Sequence, residues 1–313
     1  MTVLHGPETI SSEQTDIMKM TLKQIQVFIA IAKIENITQA ADTLFLTQSA
    51  CSMALTNLEE QLGIELFERR GKKLILNDKG KLLLPKAVNI IQAVEEAQAL
   101  ILSSEDRQLV GQLIIGASST IGNYILPKII GNFANEHVKT KLTLQVGNTE
   151  KIIHQLLKFN IDIGMIEGHC YDPHIKVIPW KQDELVLIAS PKHPLCSKKK
   201  ITLDDLKIAP WILREPGSGT REKIEEIMGS QLNIFLELGH TEAIKQAVID
   251  GFGITCLSKA TVQQALKNQE LIVLKTPFLK LNRQFYILLH TDKQETELLK
   301  SFLEYCCNRK SLH

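Results

Sequence analysis

Residues 37–80 read ITQAADTLFLTQSACSMALTNLEEQLGIELFERRGKKLILNDKG, and the amino-terminal fold is decided there. Asn36 or Thr38 can cap a short helix carrying Ala40, Ala41 and Leu44. After the turn Phe45-Leu46, Thr47 can cap a longer helix that runs to about Leu62, because a hydroxyl or amide oxygen satisfies amides that have no partner in a helix's first turn. Short helix, tight turn and longer helix make a helix-turn-helix. The first turns of the longer helix carry Gln48, Ser49, Ser52, Thr56 and Asn57, small or amide-bearing and uncharged. On an isolated helix these would form a solvated face, but the segment on their carboxyl side changes the reading. Gly63 and Leu66-Phe67 lead to Arg69, Arg70, Gly71, Lys72 and Lys73, and then to the alternating Leu74-Ile75-Leu76. That is a basic hairpin, suited to hold phosphates while the helix beside it reaches base edges in the major groove.

Moving outward, Leu22, Ile25, Phe28, Ile29 and Ala32 recur at helical spacing and supply the first helix of the same domain, residues 20–78. Residues 1–19 are polar and mixed and read as a loose leader, without the apolar stretch of a secretory signal. Beyond Asp78, a plausible cap, a helix is predicted over 79–102 and bent near its start by Pro85. Along it Leu83, Ala87, Ile90, Val94, Ala97 and Ile101 step alternately by four and three, a heptad seam that suits dimerisation. Polar residues 103–108 close this 79–108 linker as a hinge.

From residue 109 onward strands and helices alternate, which is the signature of a parallel α/β sheet, and the pattern restarts near Trp211. Two lobes are expected, one from 109–186 with 288–308 and the other from 187–287. Hydroxyls mark four strand-to-helix junctions: Ser118-Ser119-Thr120, Thr149, Ser218 with Thr220, and Thr241. One such hydroxyl is ordinarily a helix cap, whereas four together point to a ligand crevice at the carboxyl ends of the strands. The loop Arg214-Glu215-Pro216-Gly217-Ser218-Gly219-Thr220-Arg221 adds two glycines and two arginines, a combination suited to a small anion. It lacks the spacing of a nucleotide-binding phosphate loop.

With 36 basic and 35 acidic side chains the whole chain is almost neutral, so the basic run at 69–81 is a local device and not a general affinity for polyanions. Six scattered cysteines and nine histidines show neither zinc nor dithiol spacing. No metal site, cofactor or catalytic constellation is expected, and the chain is not read as an enzyme. A cytoplasmic protein without membrane association fits the absent signal and membrane span.

The 37–80 stretch resembles LysR-type transcriptional regulators, in which A-A-x-x-L, T/S-Q, L-E-x-x-L-G and L-F-x-R keep these spacings. Ser49, Cys51 and Asn77 stand where that pattern usually has proline, valine and threonine. The strings GASSTIGNYILP, VGNTEKI, REPGSGTRE and GHTEAIKQAVIDGFGI are similar to those of a branch that regulates sulfur assimilation and carbon fixation. The resemblance implies an all-α winged helix-turn-helix domain, a long linker helix, and a two-lobed α/β effector domain built like periplasmic solute-binding proteins. It also implies a homodimer or homotetramer on a pseudo-palindromic double-stranded operator, with a small anion, sulfite- or sulfate-like or a phosphorylated metabolite, as effector. Carried over by position, Thr47, Gln48, Ser49 and Ser52 face the groove, and Arg69, Arg70, Lys72 and Lys73 hold the backbone. Ser118, Ser119, Thr120, Thr149, Glu167, Arg214, Ser218, Thr220, Arg221, Thr241 and Glu242 face or flank the cleft. Glu167 and Glu242 are expected to orient arginines or form the rim, since a carboxylate would repel an anion. The rival reading, a solute-binding protein of the same two-lobed fold, leaves the reading helix and basic wing without a use.

Overall fold

A computed structural model describes residues 20–102, 109–229 and 232–308. The expected leader 1–19 and hinge 103–108 lie outside the described residues. The chain divides into two compact units at Ile91/Gln92, within one long helix.

In the first unit, α1 (Leu22–Ile34), α2 (Ile37–Thr43) and α3 (Gln48–Leu62) precede the hairpin of β1 (Phe67–Arg70) and β2 (Lys73–Leu76). Each helix starts where an oxygen accepts an orphan amide. Thr21 forms a reciprocal capping box with Gln24, Asn36 accepts from the Gln39 amide, and Thr47 from the Ala50 amide. Val27, Phe28, Ile31, Ala40, Cys51 and Leu58 bury a common core, and Phe28 packs its ring 5.6 Å from that of Phe67. The wing is fixed at both ends: the Glu59 carboxylate accepts the Leu66 amide, and the Glu35 carbonyl accepts the Leu74 amide. The helix α4 (Asp78–Leu102) continues through Pro85. Its cap is Asn77 and not Asp78, since Asn77 Oδ1 accepts the Gly80 amide while its Nδ2 donates to the Glu65 carbonyl. Along the seam Ala87 is buried, but Ile90 and Ile101 stay exposed, as does Leu100 beside them.

The second unit holds β3 (Gly111–Ser118), α5 (Ser119–Tyr124), α6 (Leu126–Glu136), β4 (Thr140–Gly147), α7 (Thr149–Leu157), β5 (Ile163–Glu167) and the long β6 (Ile175–Ala189). It continues with α8 (Leu203–Ile208), β7 (Trp211–Leu213), α9 (Gly219–Met228), β8 (Ile234–Glu237), α10 (Thr241–Ile249), β9 (Ile254–Ser258), α11 (Lys259–Lys267) and β10 (Ile272–Val273). The strand β11 (Asn282–His290) returns and α12 (Glu297–Asn308) comes last. The strand order is β4-β3-β5-β11-β6-β9-β7-β8, with β10 on β6. Here β3 runs parallel to β4 and β5, and β7 to β8 and β9.

The two lobes meet along β6 and β11, which cross from one to the other. Residues 175–184 of β6 pair with β11, and 185–189 pair with β9. The return crossing lies near Asn282, six residues before the expected boundary at 287/288. Phe285 and Ile287 pack with Phe133 and Phe302 in the first lobe's core, so residues 282–287 belong there. Between β3 and β4 the chain forms two helices and not one, broken at Ile125, with Pro127 in the first turn of the second. Each lobe's sheet is covered on both faces. Phe133 and Phe302 lie on one side of the first and Ile152 and Leu156 on the other, while Trp211 and Ile224 oppose Ile244 and Val262 across the second.

Candidate DNA interface and effector cleft

In the first unit, burial of Cys51, Leu55 and Leu58 turns the opposite face of α3 outward, and there Gln48, Ser49, Thr56 and Asn57 are exposed while Ser52 is half-buried. Thr47 is committed locally: its oxygen caps Ala50 and lies 3.1 Å from the Ser49 hydroxyl. Gln48 keeps its amide on the exposed face. All four wing cations are exposed, but they are not equivalent. Arg70 pairs with Glu68 at 3.3 Å and Lys73 with Glu35 at 3.3 Å, whereas Arg69 and Lys72 form no ion pair among the described residues.

In the second unit, Ser118, Thr120, Thr149, Ser218, Thr220 and Thr241 are each no more than 5% exposed, and none of them caps its helix. Ser118 and Ser218 occupy cap positions without a side-chain bond to the helix, α7 is capped by Asn148, and His240 precedes α10. The hydroxyls go elsewhere. Ser118 donates to the buried Glu167 carboxylate, and Thr149 Oγ1 donates to the Glu167 carbonyl at 2.5 Å. Glu167, 1% exposed, therefore orients a serine, where an arginine-orienting or rim role had been expected.

A second group spans the lobes. Arg214, 3% exposed, forks onto Glu215 at 2.8 and 2.8 Å, and its Nη2 reaches Ser119 Oγ at 3.2 Å. Burial alone would raise the Glu215 carboxyl; the Arg214 guanidinium, with hydrogen bonds from the Glu215 backbone and Asn148, outweighs it and holds the group below the usual carboxylate range. Asn148 donates to Glu215 at 3.2 Å, and the Glu150 amide donates to the Gly217 carbonyl at 3.2 Å. The two loop glycines serve this close approach. A Cβ on Gly219 would lie 2.0 Å from the Glu167 carbonyl oxygen, and one on Gly217 would lie 2.4 Å from Glu150 Oε2, with Gly217 also at φ +80°.

Arg221 and Glu242 stand apart from the buried hydroxyls, Glu242 as an exposed residue of the kind expected at the rim. Arg221 runs away from the hydroxyls to Glu225 at 2.7 Å and Glu237 at 2.5 Å, and supports the loop by donating to the Arg214 carbonyl. Glu242 orients no arginine; it accepts from Tyr124 across the lobes and pairs with Lys245. Ser218 and Thr241 are buried. The residue that the sequence reading missed is Arg283, on the crossing strand β11. Its Nε pairs with Asp183 of β6 at 2.7 Å, with side chains 4% and 7% exposed, and its other nitrogens reach Thr220 Oγ1 at 2.9 Å and Thr120 Oγ1 at 3.3 Å. A charged residue shortly before the apolar stretch FYILL, in RQFYILLH, was the available signal. A cavity of about 330 Å³, lined in part by Gly168, Gln182, Gly219 and Arg283, lies against it. Among the described residues no group of three His, Cys, Asp or Glu could hold a metal, and no helix is long and apolar enough to cross a membrane.

Residues 22–81 match the bacterial regulatory helix-turn-helix protein, lysR family, and residues 106–310 match the LysR substrate binding domain. The HTH-type transcriptional regulator YeiE of Escherichia coli strain K12 is 42% identical over 292 residues, covering 92% of this chain and 98% of its own. This chain belongs to the LysR family of transcriptional regulators. A full-length OxyR variant from Pseudomonas aeruginosa shares the fold, with a TM-score of 0.71 at 18% identity over 95% of this chain and 99% of that one. The Synechocystis PCC6803 CcmR regulatory domain, solved in complex with 2-PG, is 29% identical with a TM-score of 0.59, covering 63% of this chain and 96% of that domain. As a LysR-family regulator the chain joins a DNA-binding winged helix-turn-helix to an α/β two-lobed effector-binding domain.

Proposed function

We propose that this regulator binds its operator through the start of α3 and the wing, as a cytoplasmic homodimer or homotetramer, and that a small oxyanion held between the lobes alters that binding. One observation carries the effector reading: six buried hydroxyls stand at four helix starts without capping any of them. Burying polar groups is costly unless they are bonded, and a ligand with several acceptor oxygens would use those left over. The two guanidiniums are already matched by Glu215 and Asp183, so hydrogen-bond donors, more than net charge, select the ligand. The CcmR regulatory domain in complex with 2-PG is a relative's precedent for a small molecule bound by this domain. The exposed Ile90, Leu100 and Ile101 on α4 support pairing through that helix. Within Arg69 to Lys73, Arg69 and Lys72 are the best placed to neutralise phosphates, and Gln48 to read an adenine edge.

The test is a thermal-shift screen of the full chain with sulfite, sulfate, thiosulfate, phosphosugars and a neutral sugar. An oxyanion that raises the melting temperature and also changes operator affinity is expected. Stabilisation by none of the anions rejects the effector reading, and stabilisation without any change in operator affinity rejects the regulatory one, since coupling requires differential affinity for two states.

A further inference from the structure

Resting on the oxyanion reading, we infer that Arg283 is a specificity-determining positioning residue, which makes Thr120 and Thr220 obligate proton donors to the effector. A guanidinium has donors and no acceptors. Thr120 Oγ1 and Thr220 Oγ1 therefore receive hydrogen bonds from Arg283, at 3.3 and 2.9 Å, and each must turn its own proton elsewhere. Neither donates to a protein acceptor among the described residues. Their neighbours differ: Ser118, Ser119 and Thr149 spend their protons on the Glu167 carboxylate, on the Gly147 carbonyl and on the Glu167 carbonyl.

Thr120 comes from the first lobe and Thr220 from the second, and Arg283 stands on a strand that crosses between them. Its orientation is fixed by Asp183 on the other crossing strand, and Asp183 in turn accepts from Ser258 at 2.7 Å. The pair of hydroxyls on one fork is thus assembled only when both lobes are in place. Two donors with no acceptor between them suit an ion that carries no proton of its own. An anion that presents a hydroxyl would set its own proton against theirs.

The experiment is calorimetric titration of the full chain with inorganic sulfate and inorganic phosphate in mildly acidic buffer, where phosphate carries hydroxyl protons and sulfate none. Wild-type protein, Thr120→Val with Thr220→Val, Thr120→Ser with Thr220→Ser, and Arg283→Lys are compared; the valine and serine forms keep the Arg283–Asp183 pair and so the buried charge balance. Sulfate is expected to bind wild type at least about tenfold more tightly than phosphate, with that preference lost in the valine and lysine forms and kept in the serine form. Valine and lysine forms that retain the preference overturn the role of Arg283 while leaving the oxyanion reading standing. Wild type that binds phosphate as well as sulfate, or binds neither, overturns the donor assignment, and the oxyanion reading falls with it only if sulfite, thiosulfate and phosphosugars also fail to stabilise the chain.

Discussion

Replacing Gly219 by alanine separates lobe closure from lobe stability. The new Cβ would stand 2.0 Å from the Glu167 carbonyl oxygen, where ordinary contact begins at 3.4 Å, so the lobes must part there by about 1.4 Å. The Glu150 amide to Gly217 carbonyl bond and the Asn148 to Glu215 bond, both 3.2 Å, cannot survive that displacement. At about 1 kcal/mol each, their loss disfavours the closed arrangement by about 2 kcal/mol, or roughly thirtyfold. Gly219 is the first residue of α9, so the interior preference of helices for alanine offsets little of this loss. Hydrogen exchange followed at the Glu150 amide is therefore expected to quicken by about thirtyfold, with core amides of β3 and β9 affected far less. Unaltered exchange at Glu150 would refute the claim that glycine is there to let the lobes meet.

The remaining expectations concern both units. Gln48→Ala should lower discrimination at one base pair by about 1–3 kcal/mol. Lys72→Ala should weaken all sequences and reduce the salt slope by about 1, and more than Lys73→Ala does, because Lys73 is already paired with Glu35; anisotropy titrations at several salt concentrations would show equal slopes for both lysines if the pairing is irrelevant. Phe45, 96% exposed at φ 54°, holds a left-handed backbone that an asparagine tolerates better. Phe45→Asn should raise the stability of the DNA-binding unit by roughly 1 kcal/mol in urea unfolding, and a loss of stability would mean that the ring contributes more than its exposure implies. Burial pushes the Cys256 and Cys306 thiols up to about 12, so at pH 8 about one thiol in ten thousand is ionised. Alkylation should label exposed Cys307 first, and rapid labelling of Cys256 in folded protein would contradict the packing.

The DNA-binding unit was legible because its information is local. Caps at Asn36 and Thr47, the turn at Phe45, and the basic hairpin are all set by residues within a few positions of one another. The alternation of the lobes was legible for the same reason. The crossing strands were not, because β6 changes partners midway and its fifteen residues, IKVIPWKQDELVLIA, serve two sheets with no single periodicity. Misplacing the return crossing hid Arg283, whose partners lie 63, 100 and 163 residues away in sequence. The hydroxyls were found, but their partners were not. Helix capping is a local rule, whereas the bonds from Ser118 to Glu167 and from Arg214 to Ser119 exist only once the strands are assembled.

The most direct measurement is the affinity of the full chain for its own promoter against a random duplex of equal length, at physiological salt, with and without the oxyanion that stabilises it. A preference of at least about a thousandfold is expected, shifted by the anion and diminished by Gln48→Ala. Equal affinity for the two duplexes would mean that α3 and the wing hold phosphates only, and that the chain does not read sequence.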